Sequence, residues 1–147
     1  MKRDATKPSA WIVDVDGTLA LRGSHEGVRH WFDWTRVLED APNWPVIELV
    51  RALSMSSRSE IIVMSGREDV CREDTSKWLA RHVIPHDMLL MRPAGDYRPD
   101  DIVKAELFDT HIADRYDVRG VIDDRSKVVA MWRARGLMCA QVAPGDF

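Results

Sequence analysis

Short apolar runs alternate with longer stretches of helical spacing along this chain. Trp11-Ile12-Val13, Ile61 to Met64, Met88 to Met91, Val118 to Ile122 and Met138 to Ala143 are largely apolar and partly β-branched, the pattern of strands buried on both faces. Val28, Trp31, Phe32, Thr35 and Leu38 recur at helical spacing and predict a short helical insert that stops at Asp40-Ala41-Pro42. Val46, Ile47, Leu49, Val50 and Leu53 predict a helix with Pro45 in its first turn, ending in the polar Ser54 to Ser59 cluster. Glu68 to Asp74 reads as partly loop, followed by a helix through Lys77, Trp78, Leu79 and Val83 that Pro85 terminates. Ile102, Val103, Leu107, Phe108 and Ile112 mark a helix over Asp100 to Ala113, with Asp100 or Asp101 as its cap. Ser126 to Arg135 forms a last helix, stopped by Gly136, while Ala20 to Gly27 and Arg92 to Pro99 read as loops.

Strands alternating with helices imply βαβ crossovers, so the expected fold is α/β, Rossmann-like, with a central parallel sheet and helices on both faces. The 147 residues make one domain, 1–147, interrupted only by a small cap-like insert at about 24–42.

A parallel sheet gathers its strand ends along one edge, and these strands end in polar groups. The run Trp11 to Val13 leads into Asp14 and Asp16, and Gly17 lets the backbone turn away. Ile61 to Met64 closes on Ser65-Gly66-Arg67, Val118 to Ile122 closes on Asp123-Asp124, and Lys104 stands near the head of a helix. Four carboxylates crowded into one cleft raise one another's pKa unless a cation compensates them. Oxygen ligands without His or Cys select Mg²⁺, and Ser65, Arg67 and Lys104 suit the oxygens of a phosphate held against it.

Charge and composition narrow the partners. A net charge of −3 excludes a generally basic nucleic-acid coat, so any nucleic-acid contact must be local. Cys71 and Cys139 lack metal-ligand spacing and are expected to be reduced packing residues. No apolar stretch has the length of a membrane span or the character of a signal peptide, so a soluble cytoplasmic protein is expected, without a membrane partner.

The string Asp14-Val-Asp-Gly-Thr-Leu, Ser65, Lys104 and the Asp123-Asp124 pair resemble, in order, the four motifs of the haloacid dehalogenase (HAD) superfamily of phosphohydrolases. Val63-Met-Ser-Gly-Arg-Glu, Asp100-Asp-Ile-Val-Lys-Ala-Glu-Leu-Phe, Ile122-Asp-Asp-Arg-Ser-Lys and the ending Gln141-Val-Ala-Pro-Gly-Asp-Phe are similar to the 3′-phosphatase domain of bacteriophage T4-type polynucleotide kinase-phosphatases. The resemblance implies that Asp14 is the nucleophile and Asp16 the proton carrier. It implies Mg²⁺ held by Asp14, the Asp16 backbone carbonyl and the Asp123-Asp124 pair, with Asp124 as the direct ligand and Asp123 acting through water or a hydrogen bond. Ser65 and Lys104 hold phosphate, and Asp100, one turn before Lys104, orients its ammonium. Thr18, Arg22, Gly66, Arg67, Arg92 and Arg125 complete the implied substrate contacts. Trp31 and Phe32 are expected to pack inside the insert, leaving Trp34 to stack on a terminal base.

The implied reaction is Mg²⁺-dependent removal of a 3′-phosphate from DNA or RNA ends, or from nucleoside 3′-monophosphates, in nucleic-acid end repair. No Gly-x-x-x-x-Gly-Lys-Ser/Thr loop is present, so 5′-phosphorylation is not expected of this polypeptide and a separate kinase or ligase becomes the expected partner. Two other readings compete: a small-molecule nucleotidase or sugar phosphatase, and a noncatalytic module that binds phosphorylated ends.

Overall fold

The computed structural model describes residues 2–147. In chain order its first half comprises β1 (Ser9–Val13), the two-residue strands β2 (Ala20–Leu21) and β3 (Ala41–Pro42), α1 (Trp44–Ser56) and β4 (Glu60–Glu68). Its second half comprises α2 (Arg72–Arg81), β5 (Met88–Arg92), α3 (Asp100–His111), β6 (Asp117–Asp123), α4 (Ser126–Ala134) and β7 (Cys139–Gln141).

β1 lies at the centre of a five-stranded sheet ordered β5-β4-β1-β6-β7, every pairing parallel. Because successive strand residues point to opposite faces, the apolar runs divide cleanly between two cores. Ala10, Ile12, Ile62 and Met64 face Ile112, Val128, Val129 and Trp132, the layer of α3 and α4. Val13, Ile61, Val63 and Ile122 face Val46, Ile47, Val50, Trp78 and Leu79, the layer of α1 and α2. This is the α/β architecture with a doubly covered parallel sheet that the hydrophobic pattern predicts. Between β1 and β6 the register slips at Ala10 and Trp11, and Gly120 lies under the Trp11 ring. A Cβ at Gly120 would stand 2.4 Å from that ring, so only glycine lets the indole lie across β6.

The chain leaves β1 for β4 and β5 on one side, then returns to β6 and β7 on the other. The carboxyl ends of β1 and β6 therefore flank the topological switch point, where open α/β sheets bind ligands. Among the described residues no helix is long and apolar enough to cross a membrane.

The element boundaries depart from the pattern in several places. α1 continues through Ser56 into the polar cluster, α2 begins at Arg72 inside the charged segment, and the last strand is shorter than the apolar run around it. Asp100 and Asp101 lie in the first turn of α3 and do not cap it; Pro99 occupies the cap position. The larger correction concerns residues 28–38, which form irregular backbone, a turn at Trp31 and Phe32 and a 3₁₀ stretch (Trp34–Glu39) rather than an amphipathic helix. The buried Arg29 donates Nη1 to the carbonyls of His30 and Trp31, both at 3.2 Å, and so occupies acceptors that a helix would give to its next turn. The Asp33 side chain then caps the 3₁₀ stretch at Thr35, and Ala20 and Leu21, read as loop, pair with Pro42 and Ala41 to clasp the insert at its base.

Cys71 and Cys139 are buried and unpaired, as expected. Burial pushes the Cys71 thiol up, and burial together with the Asp123 charge pushes the Cys139 thiol up to about 11. Neither thiol is expected to alkylate in the folded protein at neutral pH, and both should react once urea unfolds it, as mass spectrometry after iodoacetamide would show.

Candidate active site

The cleft begins where β1 ends. Asp14 N donates to Ile122 O at 3.0 Å, which carries the β1–β6 pairing one residue further and holds the Asp14 carboxylate beside the end of β6. The chain then turns at once: the amides of Thr18, Leu19 and Ala20 all point at Val15 O, and Gly17 adopts φ +80°. A Cβ at Gly17 would lie 2.2 Å from Asp124 Oδ2, so the glycine admits the second acid of the β6 pair to within contact of the β1 loop.

Asp14, Asp123 and Asp124 each place a carboxylate oxygen within 4.8 Å of the others, all three buried. Lys104, buried on α3, donates to Asp14 Oδ1 at 2.7 Å and Asp123 Oδ2 at 2.9 Å, with Asp100 at 3.5 Å. Thr18 Oγ1 donates to Asp14 Oδ2 at 2.8 Å. Three carboxylates against one ammonium leave two negative charges in a buried space. Accordingly burial, reinforced by the Asp123 charge, pushes the Asp14 carboxyl well above its ordinary value, and the same two causes raise Asp124. A divalent cation would supply the missing charge, and an all-carboxylate donor set is of the kind that hard, oxygen-seeking cations take. Within the trio the two β6 acids differ. Asp123 is occupied, with Oδ2 taken by Lys104 and Oδ1 by the amides of Asp124 and Arg125. The Asp124 carboxylate receives a 3.3 Å contact from Thr18 and lies against the Asp14 carboxyl, with no cation bonded to it among the described residues, while its backbone is held by Gln141.

Asp16 belongs to a second, self-neutral group. Arg67 grips both of its oxygens through Nε at 3.2 and 3.0 Å and Nη2 at 2.8 Å, and Arg29 Nη2 reaches it at 3.3 Å. Behind them the buried Asp40 accepts from Arg29 Nε, Arg29 Nη2 and Arg67 Nη2, each at 2.8 Å. Two guanidiniums and two carboxylates close a network that presents Asp16, whose side chain keeps 30% of its exposure, to the cleft. Arg29 and Asp40 escaped the sequence reading, in which Asp40 appeared only as the first residue of the Asp40-Ala41-Pro42 break. Asp40→Asn is expected to cost about 3 kcal/mol of stability by leaving buried guanidinium donors unmatched, and to lower turnover through Asp16; thermal unfolding and phosphate release check both.

The remaining candidates fall at graded distances. Ser65 is fully buried at the last β4–β5 pair before a register shift, its Oγ accepting from Arg67 N at 3.1 Å. A bulge at Gly66 and Arg67 follows, and Arg92 Nε donates to Gly66 O. Arg92 also binds the carbonyls of Asp96 and Arg98 and the Asp100 carboxylate, so it pins the loop over residues 92–99. The Arg22 and Arg125 side chains bond elsewhere than the carboxylate trio: Arg22 donates to Arg29 O, and Arg125 to Phe147 O, although the Arg125 amide reaches Asp123. The aromatic expectation is reversed. Trp31 and Phe32 are exposed, whereas Trp34 is half-buried against Val37, Cys71 and Met91, with Nε1 bonded to Glu68 at 2.9 Å.

A family model described as the polynucleotide kinase PNKP phosphatase domain matches residues 8–147. The chain belongs to that family. Its PNKP-type phosphatase fold is shared closely with solved chains of Pnkp1/Rnl/Hen1 assemblies: one from a structure of the Pnkp1/Rnl/Hen1 complex superimposes with a TM-score of 0.92 at 40% identity, covering 100% of this chain and 50% of that one. Another, from a structure of the Pnkp1/Rnl/Hen1 RNA repair complex, gives 0.89 at 40% identity, over 100% and 46%. A proposed bifunctional polynucleotide kinase/RNA ligase of Autographa californica nuclear polyhedrosis virus is 36% identical over 128 residues, 86% of this chain. The PNKP phosphatase domain described here spans half or less of the solved chains and 18% of the viral protein. It is a phosphatase domain of this family, with an acidic trio fit to hold a metal.

Proposed function

We propose that this domain removes the 3′-terminal phosphate from nucleic-acid ends, with Mg²⁺ as cofactor, and that RNA is the first strand to test. The observation that carries the reading is the buried placement of Asp14 against Lys104 and Asp124, with Asp16 held separately, in a member of the PNKP phosphatase family.

Asp14 attacks phosphorus, forming an Asp14–phosphorus bond as the bond to the 3′ oxygen breaks. Asp16 gives that oxygen its proton, the two guanidiniums fixing the carboxyl's direction. Water then attacks the aspartyl-phosphate, loses a proton to Asp16, and frees phosphate and Asp14. Ser65 donates to a phosphate oxygen, and Lys104 ties the phosphate to Asp14. Asp14, Asp124 and the Asp16 carbonyl would hold Mg²⁺, with Asp123 steering Lys104 and the β6 backbone; when bound, the ion supplies charge neutralisation between nucleophile and phosphate. The small-molecule phosphatase reading shares every one of these groups and differs only in the leaving group.

The test is a phosphate-release panel on 3′- and 5′-phosphorylated RNA and DNA and on free nucleotides. Fastest release from 3′ ends supports the reading; equal or faster release from 5′ ends rejects it. EDTA should inactivate reversibly, and Mg²⁺ should raise the unfolding temperature of the wild type but not of Asp124→Asn, because a ligand that binds only the folded state stabilises it. The RNA repair assembly around the solved relatives supports a separate kinase or ligase as partner; co-elution with such a protein from the source cells tests that.

A further inference from the structure

Asp124 stands on a two-residue link, after the last residue of β6 and before the first turn of α4, so neither element's own hydrogen bonding holds it. Its carboxylate is also the one in the trio that no cation grips among the described residues, whereas Lys104 bonds both Asp14 and Asp123. The direction in which it points is therefore set by its backbone.

That backbone is fixed from one short segment, Gln141 to Gly145. β7 pairs Gln141 with Asp123, and Val142 N donates to Asp123 O at 3.1 Å. The Gln141 carboxamide then reaches past the end of β6, donating Nε2 to Asp124 O at 2.9 Å and to Ser126 Oγ at 3.1 Å. Gly145 O accepts from Ser126 N at 2.9 Å, an amide that the first turn of a helix leaves open. The Ser126 hydroxyl spends its own proton on Asp146 Oδ1 at 2.6 Å, so toward Gln141 it can only accept. Asp124 O likewise only accepts, and both hydrogens of the carboxamide are committed.

Space around Asp124 is as restricted as its bonding. A Cβ at Gly145 would stand 1.9 Å from Asp124 O and 2.7 Å from Arg125 Cα, so the segment lies directly against the Asp124 peptide. On the opposite side Gly17 closes on the Asp124 carboxylate. Two glycines thus enclose this residue, one at its carbonyl and one at its side chain.

We propose that Gln141 and Gly145 are positioning residues for the metal site, fixing the Asp124 peptide so that its carboxylate meets the cation already oriented. The proposal rests on the reading of Asp124 as a metal ligand given above. A ligand held in place in advance loses less conformational freedom when the ion arrives, so the segment acts on metal affinity.

Wild type, Gln141→Met and Gly145→Ala test it in two Mg²⁺ titrations. The first follows the unfolding temperature without substrate, starting in EDTA. The second follows phosphate release at saturating substrate and separates the Mg²⁺ concentration for half-maximal rate from kcat. Both variants are expected to need about 10- to 100-fold more Mg²⁺ in each titration, the usual effect of removing a partner that orients a metal ligand. The change falls on the Mg²⁺ requirement more than on kcat. Gln141 is an exposed residue, so Gln141→Met removes the amide without opening the core and decides the matter even where Gly145→Ala does not fold. A segment that serves the fold alone would lower the unfolding temperature in EDTA and leave the Mg²⁺ dependence of both titrations unchanged, and that result overturns the proposal. A wild type that responds to Mg²⁺ in neither titration rejects the metal reading and the positioning role with it. A wild type that responds, with variants responding at the same concentrations, rejects the positioning role alone.

Discussion

Asp14→Asn is expected to lower phosphate release by about 10⁴-fold or more while leaving the protein folded, because removing a covalent nucleophile abolishes a step that no neighbour can replace. Asparagine keeps the shape of the side chain and an oxygen for Lys104, but its amide does not attack phosphorus. The effect on stability distinguishes loss of chemistry from loss of fold. Burial and the Asp123 charge make the Asp14 carboxylate an unfavourable anion in the metal-free protein. Neutralising it removes that penalty, so the unfolding temperature in EDTA should not fall. A variant retaining more than about a hundredth of wild-type turnover would reject Asp14 as nucleophile.

Lys104→Met is expected to have the largest effect on stability, about 3–5 kcal/mol at neutral pH, the usual cost of breaking a buried ion pair from one side. The ammonium is the one cation in contact with Asp14 and Asp123, at 2.7 and 2.9 Å among the described residues, and all three groups are buried. The dependence on pH follows from the directions of the shifts. Asp14 is raised above its ordinary 3.8, so its contribution is most favourable below that value and is lost as pH climbs through the folded pKa. Lys104 is raised above its ordinary 10.5, so its contribution is retained below 10.5 and lost only as pH rises through its own folded pKa. Without the lysine the repulsion among the acids is unopposed, and the variant should weaken further with each step above acid pH. Urea unfolding in EDTA should show a wider gap between wild type and variant at about pH 8 than at about pH 5. A gap independent of pH would mean that Lys104 acts through packing alone.

The sheet was legible because its strands obey a strict rule: Ile12 and Ile62 face one core while Val13 and Val63 face the other, and such doubly buried runs have few alternatives. The strand-end acids were legible for the same reason, since Asp14 and Asp123 interrupt apolar runs that otherwise have no cause to end in charge. The insert was not legible. Its spacing of Val28, Trp31, Phe32 and Leu38 fits a helix, but a helix needs its own carbonyls, and Arg29 takes those of His30 and Trp31. That capture depends on Asp40 and Asp16 holding the guanidinium from other parts of the chain, a long-range ion-pair network that no local period encodes. Trp34 was misread by the same route. Once the helix is absent, the residue off the supposed apolar stripe is the one that turns inward to Glu68 and Met91.

The central claim is that a buried carboxylate between Lys104 and Asp124 becomes phosphorylated during turnover. Rapid acid quench on a 3′-phosphorylated strand, followed by borohydride reduction and mass spectrometry of the peptide containing Asp14 and Asp16, tests it directly. An acyl phosphate is reduced to the alcohol, so Asp14 should be recovered in part as homoserine, with Asp16 unchanged. Phosphate released at full rate with Asp14 unmodified, or reduction at Asp16 instead, would contradict it.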